Sequence, residues 1–310
     1  MHRAGTSWLG LMLAAGRDFI EITEPLNPLN RQTIFPARVS TWYAYIDEET
    51  ESPYLPSYED ALSFRPHPLD DIRRARLGSP RDPVRIPKRW GSYALGRMQR
   101  RRLLIRDPFA LVSLRWFLRR LGCAAAVVIV RHPLAVVSSL KRLGFTFDFR
   151  NLLTQDELMR DHLALYREEM ESHLGSGDVT AQGALLWTIL YGLTQKAAQG
   201  NKGVIVVRHE DLSLDPLGGF EHLYRRLGLE FDSGVMDTIE RYTGSMNAKE
   251  NPVGKHFTVR LDSKANLGNW RHRLEEEDVA RILETTSPIR EHYYPDEAAL
   301  LAVPDVSATS

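Results

Sequence analysis

A chain of 310 residues, 43% hydrophobic and 26% charged, has ordinary globular composition and length enough to bury a core without staples. Its 40 basic residues balance 40 acidic ones, which removes any global pull toward nucleic acid or anionic membrane. The single Cys123 excludes an intramolecular disulfide and a multi-cysteine zinc site, and the longest apolar stretch, 123–130, falls far short of the ~20 residues that a membrane span needs.

The first expected element is a helix over 6–15, with Leu9, Met12 and Leu13 on one side. Arg17-Asp18 breaks the run and no small-residue cleavage site follows, so no signal peptide is expected and a cytoplasmic location is. A short strand over 19–22 ends at Glu24-Pro25. Residues 25–100, rich in Pro, Arg and aromatics, read as mostly irregular, which suits a lid or a substrate-facing insertion. A strand is expected at 103–105, then a helix over 109–121 stopped by Gly122. The continuous apolar run 124–130 has the composition of a strand buried on both faces, and Pro133 opens a helix to Arg142. Two long helical patterns cover 155–173 and 179–199. A second buried strand is expected at 203–207, with helices over 216–227, 233–243 and 275–285. Strands alternating with helices specify an α/β domain, a mostly parallel β-sheet flanked by helices, over residues 1–300. The tail 301–310 is expected to fray.

Two stretches carry chemistry. Residues 2–9, His-Arg-Ala-Gly-Thr-Ser-Trp-Leu, place a glycine turn directly before a helix. Free N–H groups and the helix dipole make such a junction an anion site. Arg3 adds fixed charge, Thr6 and Ser7 add hydroxyl donors, and Gly5 permits close backbone approach; the bland alternative is a helix cap by Thr6 or Ser7. No Gly-Lys-Ser or Gly-Lys-Thr occurs, against an ordinary kinase or ATPase loop. In the second stretch, Arg131 stands at the carboxyl end of the buried strand and Ser139 lies eight residues on, about two helical turns. A guanidinium and a hydroxyl so placed can converge on one phosphate. The alternative is an Arg131 that pairs with a carboxylate and a Ser139 that simply packs small.

Together these stretches resemble the PAPS-dependent sulfotransferases, with their P-loop-like fold. Arg3-Ala4-Gly5-Thr6-Ser7-Trp8 is similar to the family's loop for the 5′-phosphosulfate, with Ala4 where Ser is usual, and Arg131 with Ser139 is similar to its 3′-phosphate element. Residues 207–212, Val-Arg-His-Glu-Asp-Leu, resemble a structural strand-end motif. Residues 263–271 resemble a late segment in which Lys264 would help hold the 3′-phosphate, although Ser263 and Ala265 replace the usual Arg and Gly. The resemblance touches residues 1–24, 103–145, 203–230 and 260–295 in order. It implies PAPS as donor, no metal, Trp8 stacked on adenine, and Arg3 meeting the charge that develops on the leaving group. It also implies a buried strand before the loop, where only Met1 and His2 precede Arg3, so either the start lies upstream or the sheet lacks an interior strand.

The acceptor needs a base. The segment 104–108, where small-molecule sulfotransferases carry a histidine, has none. Tyrosine and heparan sulfotransferases use a Glu about twenty residues after the loop's basic residue, and Glu24, at a strand end twenty-one residues after Arg3, matches that spacing. Glu24 is the first candidate and Asp107 the second, with Arg106 as a clamp on the sulfuryl oxygens. His132 and His209 read as structural. The basic run Arg97, Arg100, Arg101 and Arg102 reads as a solvated face, or as a site for an anionic acceptor. The acceptor itself is open: a hydroxyl or amine of a small molecule, lipid-linked group or glycan. A phosphotransferase with an unusual loop and an inactive nucleotide-binding homologue remain as alternatives.

Overall fold

The computed structural model describes residues 1–16, 18–29, 35–65, 67, 82–251 and 259–298; the expected tail 301–310 lies outside them. Four strands form two parallel pairs. Strand β1 (Phe19–Thr23) pairs with β2 (Arg102–Arg106), Phe19 against Arg102 through Thr23 against Arg106. Strand β3 (Ala126–Val130) pairs with β4 (Val204–Arg208), Ala126 against Val204 through Val130 against Arg208. Among the described residues the two pairs are not hydrogen-bonded to each other. The α/β class with parallel strands flanked by helices is as expected, in two pairs rather than one continuous sheet.

Helix α1 (Thr6–Leu13) opens the chain. The expected irregularity of 25–100 holds for most of its described residues but misses two helices, α2 (Leu55–Leu62) and α3 (Asp82–Met98). Their buried residues Ala61 and Tyr93 form a small core with Ile20 and Ile22 of β1. Sparse apolar residues within a Pro- and Arg-rich stretch conceal that face. Helix α4 (Leu114–Arg119) follows a 3₁₀ turn and ends before Gly122, whose φ of 69° supplies the left-handed stop.

Helix α5 (Pro133–Leu143) starts on proline and stops at Gly144 in the left-handed conformation. The 155–173 pattern breaks into short turns, one of them a π turn over Met159–Leu163. Helix α6 (Val179–Ala198) is capped by Asp178, whose carboxylate accepts from the Ala181 N–H at 3.0 Å. It is buried around most of its circumference and forms the centre of the main core. Beyond β4, α7 (His209–Leu214) and α8 (Pro216–Leu227) run in close succession, α8 capped by Asp215 and closed by Gly228. Helix α9 (Ser233–Thr243) is capped by Asp232. Helix α10 (Glu276–Tyr293) begins with a capping box from Glu275 and Asp278 and runs well past the expected 285, through Pro288, because Ile282, Thr286, Arg290 and Tyr293 continue its buried face. No helix among the described residues is long and apolar enough to cross a membrane, and no cluster of potential metal ligands occurs among them.

Candidate functional site

The fold holds Arg131 through its neighbours. Two carbonyls at the end of β3 are satisfied from α6: Trp187 donates its indole N–H to Arg131 O at 2.9 Å, and the Tyr191 hydroxyl donates to Ile129 O at 3.0 Å. The buried carboxylate of Glu210 accepts from the His132 N–H at 2.9 Å and from the Tyr294 hydroxyl at 2.9 Å. A strand end held on three sides presents its arginine in one place.

The opening loop meets that arginine. Arg3 Nε donates to Ser139 Oγ at 2.9 Å, and Arg131 Nη1 donates to the Arg3 carbonyl at 3.4 Å. Arg3 has a φ of 67° and Gly5 a φ of 106°. Only glycine fits at position 5, since a Cβ there would lie 2.7 Å from His209 Cδ2. Gly5 is the N-cap of α1, with no side-chain cap and no acid in the first turn, so Thr6 and Ser7 are not caps and the positive end of the helix dipole is left uncompensated.

Around this junction lies a cleft of about 770 Å³. Arg3, Gly5, Thr6, Ser7, Trp8, Glu24, Arg131 and Ser139 all border it. Ala4 is fully buried and contributes only backbone to the loop. Trp8 is 7% exposed and packs against His209, ring centroids 5.2 Å apart, and edge-on to Phe220 at 5.4 Å, so much of its area is committed to the core.

Three expected residues stand elsewhere. Arg106 pairs with Glu21 and donates to Thr23 Oγ1 at 3.0 Å, while its stem packs on Gly10; it does not border the cleft. Asp107 accepts from the Leu26 N–H at 2.6 Å and the Phe109 N–H at 2.8 Å, so its carboxylate closes a turn. Loss of solvation and, secondarily, the charge of Glu24 push it up to about 7, against the pull of those two N–H donors. Lys264 is exposed, whereas its neighbours Ser263 and Asn266 border the cleft. Spacing along the late segment does not reveal which side of its 3₁₀ turn faces inward.

Arg142 and Arg273 are the cationic residues that sequence reasoning missed. Both border the cleft and both pair with the carboxylate of Glu250, and Arg142 also donates to Asn251 O at 3.0 Å. Arg142 stands three residues past Ser139 on α5, a helical neighbour that the 3.6-residue period could have flagged. Burial lowers Arg3 to about 10, helped by the charges of Arg131, Arg142 and Arg273. Arg131 and Arg273 are also lowered, first by burial. The Nε atoms of Arg131 and Arg142 are buried without a hydrogen-bond partner among the described residues. Mutually repelling, partly desolvated guanidiniums, two of them with a buried Nε that no described residue accepts from, are suited to a polyanion.

Glu24 lies past the end of β1, its N–H donating to Arg106 O at 2.7 Å and its backbone at a φ of 51°. Asn27 Nδ2 donates to its carboxylate at 2.7 Å. His209 borders the cleft but is buried, and burial together with the charge of Arg131 lowers it well below the usual imidazole range, so it stays neutral. His132 is buried too, bonded to Glu297 at 2.7 Å. Both behave as structural histidines. Arg97, Arg100 and Arg102 are exposed, as a solvated face requires, while Arg101 is half-buried and donates to Gln99 Oε1 at 2.8 Å.

The chain is similar to known proteins in the same sense. A carbohydrate sulfotransferase 1 from Danio rerio is 34% identical over 99 residues, a stretch covering 32% of this chain and 22% of that relative. Two solved structures are similar over 92% of this chain: a sulfotransferase domain from the curacin biosynthetic pathway, 14% identical over 94% of its length with a TM-score of 0.44, and one from the Synechococcus PCC 7002 olefin synthase, 17% identical over 91% with a TM-score of 0.40. At those scores neither structure adds to the assignment. The family profile described as "Sulfotransferase family" matches residues 1–233, from the opening loop through β4 and beyond, and the chain belongs to that family.

Proposed function

We propose that this protein transfers the sulfuryl group of PAPS to a hydroxyl of an acceptor bound in the same cleft. The observation that carries this reading is the convergence of Arg3, Arg131 and Ser139 at the end of β3, where the buried Arg131 Nε has no partner among the described residues. The donor carries two anionic ends, and the cleft offers two sets of groups for them. Arg131 and Ser139, joined by Arg142 and Arg273, would hold the 3′-phosphate. Arg3, the N–H groups of the first turn of α1, Thr6 and Ser7 would hold the 5′-phosphosulfate. Lys264 and Arg106 drop out of these roles.

In the reaction, the acceptor oxygen forms a bond to sulfur while the bond from sulfur to the bridging phosphosulfate oxygen breaks. The electron pair leaves with PAP, onto its 5′-phosphate, where Arg3 and the helix dipole meet the developing charge. The acceptor proton passes to the Glu24 carboxylate, which the Asn27 amide orients. Positioning of this kind, with charge stabilisation, accounts for transfer between in-line oxygens. The Danio rerio relative is named for carbohydrate, which makes a sugar hydroxyl one candidate acceptor.

Thermal denaturation with PAP, ADP and ATP, each with and without Mg²⁺, tests the reading. PAP at ~100 times its Kd should stabilise the fold by about 2.7 kcal/mol. Arg131→Ala should weaken PAP on the order of 100-fold, the loss of a charged hydrogen-bonding partner. A shift with ATP–Mg²⁺ and none with PAP would establish a phosphotransferase instead.

A further inference from the structure

The cleft has a second face, to which Trp42 and Tyr43 of the segment 41–46 contribute, within the stretch that the sequence marks as a lid or substrate-facing insertion. We propose that this segment is the acceptor platform, and that it takes an uncharged alcohol borne on a flat apolar body, aromatic or alicyclic, rather than an acidic glycan. The inference rests on the sulfotransferase reading of the arginine junction.

The platform is held rigidly from outside the cleft. Asn151 Oδ1 accepts from the Trp42 N–H and the Thr41 hydroxyl, each at 3.0 Å. Gln155 accepts from the Tyr45 N–H at 2.7 Å and donates to Tyr43 O at 3.1 Å, and Ser113 Oγ accepts from the Ile46 N–H at 2.8 Å and donates to Ala44 O at 3.1 Å. Polar side chains near this face are thus engaged by backbone. The Asn151 amide, the one among them that borders the cleft, is further engaged through its Nδ2 on Asp148 O at 2.8 Å.

Trp42 is the segment's partly exposed ring at the cleft, and Tyr43, fully buried, backs it within an aromatic cluster continuous with the reacting loop. Trp42 packs on Phe109 with centroids 4.6 Å apart, and Tyr43 packs edge-on against Phe109 at 5.3 Å and Phe147 at 5.8 Å. His2, the neighbour of Arg3, lies over Phe109 at 6.2 Å and meets the Tyr43 hydroxyl at 2.7 Å. Phe109 lies just past Arg106, whose carbonyl accepts from the Glu24 N–H, so the aromatic wall and the candidate base share one edge of the β1–β2 pair. Phe145, 51% exposed, adds an apolar rim.

Charge points the same way. Among the described residues, the guanidiniums bordering the cleft are those assigned to the phosphates and sulfate of the donor, and two of them already share Glu250. Among the described residues, the acidic groups bordering the cleft toward the aromatic wall are the carboxylates Glu24 and Asp148, the latter paired with Arg150 at 2.7 Å. An acidic glycan would meet apolar rings and the carboxylate of Glu24 there, whereas a flat apolar alcohol would cover Trp42 and Phe145 and bring its hydroxyl toward Glu24.

The test measures sulfate transfer from radiolabelled PAPS to naphthol, cyclohexylmethanol, N-acetylglucosamine and chondroitin, with PAP binding measured in parallel on the same protein. Transfer to naphthol or cyclohexylmethanol at least tenfold faster than to either sugar is expected. Trp42→Ala should raise KM for naphthol at least tenfold with PAP affinity unchanged, and Trp42→Phe should restore most of it. PAP binding with transfer only to a sugar, or a Trp42→Ala variant that leaves the KM for naphthol unmoved, would overturn the platform and spare the sulfotransferase reading. Failure to bind PAP would overturn that reading and the platform with it.

Discussion

At the scale of single residues, the loop and the base are where substitution should speak most clearly. Gly5→Ala must place a Cβ 2.7 Å from His209 Cδ2 and 3.2 Å from Ile129 Cδ1, at a φ of 106°. Overpacking and a left-handed backbone add, so a loss of about 2 kcal/mol or more is expected in urea unfolding, with loss of PAP binding. Glu24→Gln keeps the shape of the side chain and can still bond Asn27, but cannot take a proton. A fall in kcat on the order of 100-fold or more, with PAP affinity unchanged, is the expected signature of a general base, read in single-turnover transfer. Asp107 is a test of the opposite kind. Its carboxylate holds the Leu26 and Phe109 N–H groups and does not border the cleft, so Asp107→Ala should lower the melting temperature before it alters the chemical step.

At the scale of elements, the β1–β2 pair depends on a helix that composition conceals. Gly96 of α3 faces Ile20 so closely that a Cβ would lie 2.6 Å from Ile20 Cγ1. Gly96→Val should therefore cost about 1–3 kcal/mol, by prying α3 from β1. Glu24 and Phe109 sit at the ends of that pair, so the same variant should lower kcat more than it lowers PAP affinity, a split visible in parallel kinetics and binding. The arginine junction belongs to a different unit, β3 with α5 and α6, where Trp187 and Tyr191 hold the strand-end carbonyls. The candidate donor and acceptor groups thus lie at the ends of different strand pairs, joined through one shared core.

At the scale of the whole molecule, buried histidines tie stability to pH. Burial, with help from the charge of Arg290, outweighs the carboxylate of Glu210 and lowers His132 to about 4. The unfolded chain takes up that proton near pH ~6.5. Between these values the unfolded state binds more protons, so the contribution of His132 to stability is full above ~6.5 and is lost as pH falls toward 4. His132→Gln can still donate to Glu297 and should flatten the pH dependence of urea-unfolding stability in that window by about 1.4 kcal/mol per pH unit. His209, lowered in the same direction, adds to the acid sensitivity of the wild-type protein.

Sequence by itself determined the parts whose chemistry is local. The turn before α1 needs glycine at position 5, β3 is an unbroken apolar run, and Ser139 follows Arg131 at a helical spacing, so the junction of Arg3, Arg131 and Ser139 was legible as anion chemistry and as a family likeness. The helices 216–227 and 233–243 were legible to the residue because Asp, Pro and Gly mark their ends. Tertiary structure decided the rest. Arg142 lies one helical turn past Ser139, but its meeting with Arg273 on Glu250 joins distant parts of the chain, which no short-range period encodes. Arg106 and Asp107 adjoin the right strand end, yet β-strand alternation and the turn at Leu26 point them to structural partners. The platform at 41–46 has no regular period, since its shape is set by Ser113, Asn151 and Gln155, contributed by distant segments. An anion site built at one chain junction can be read from spacing; an acceptor face assembled from three separated segments exists only once the chain has packed.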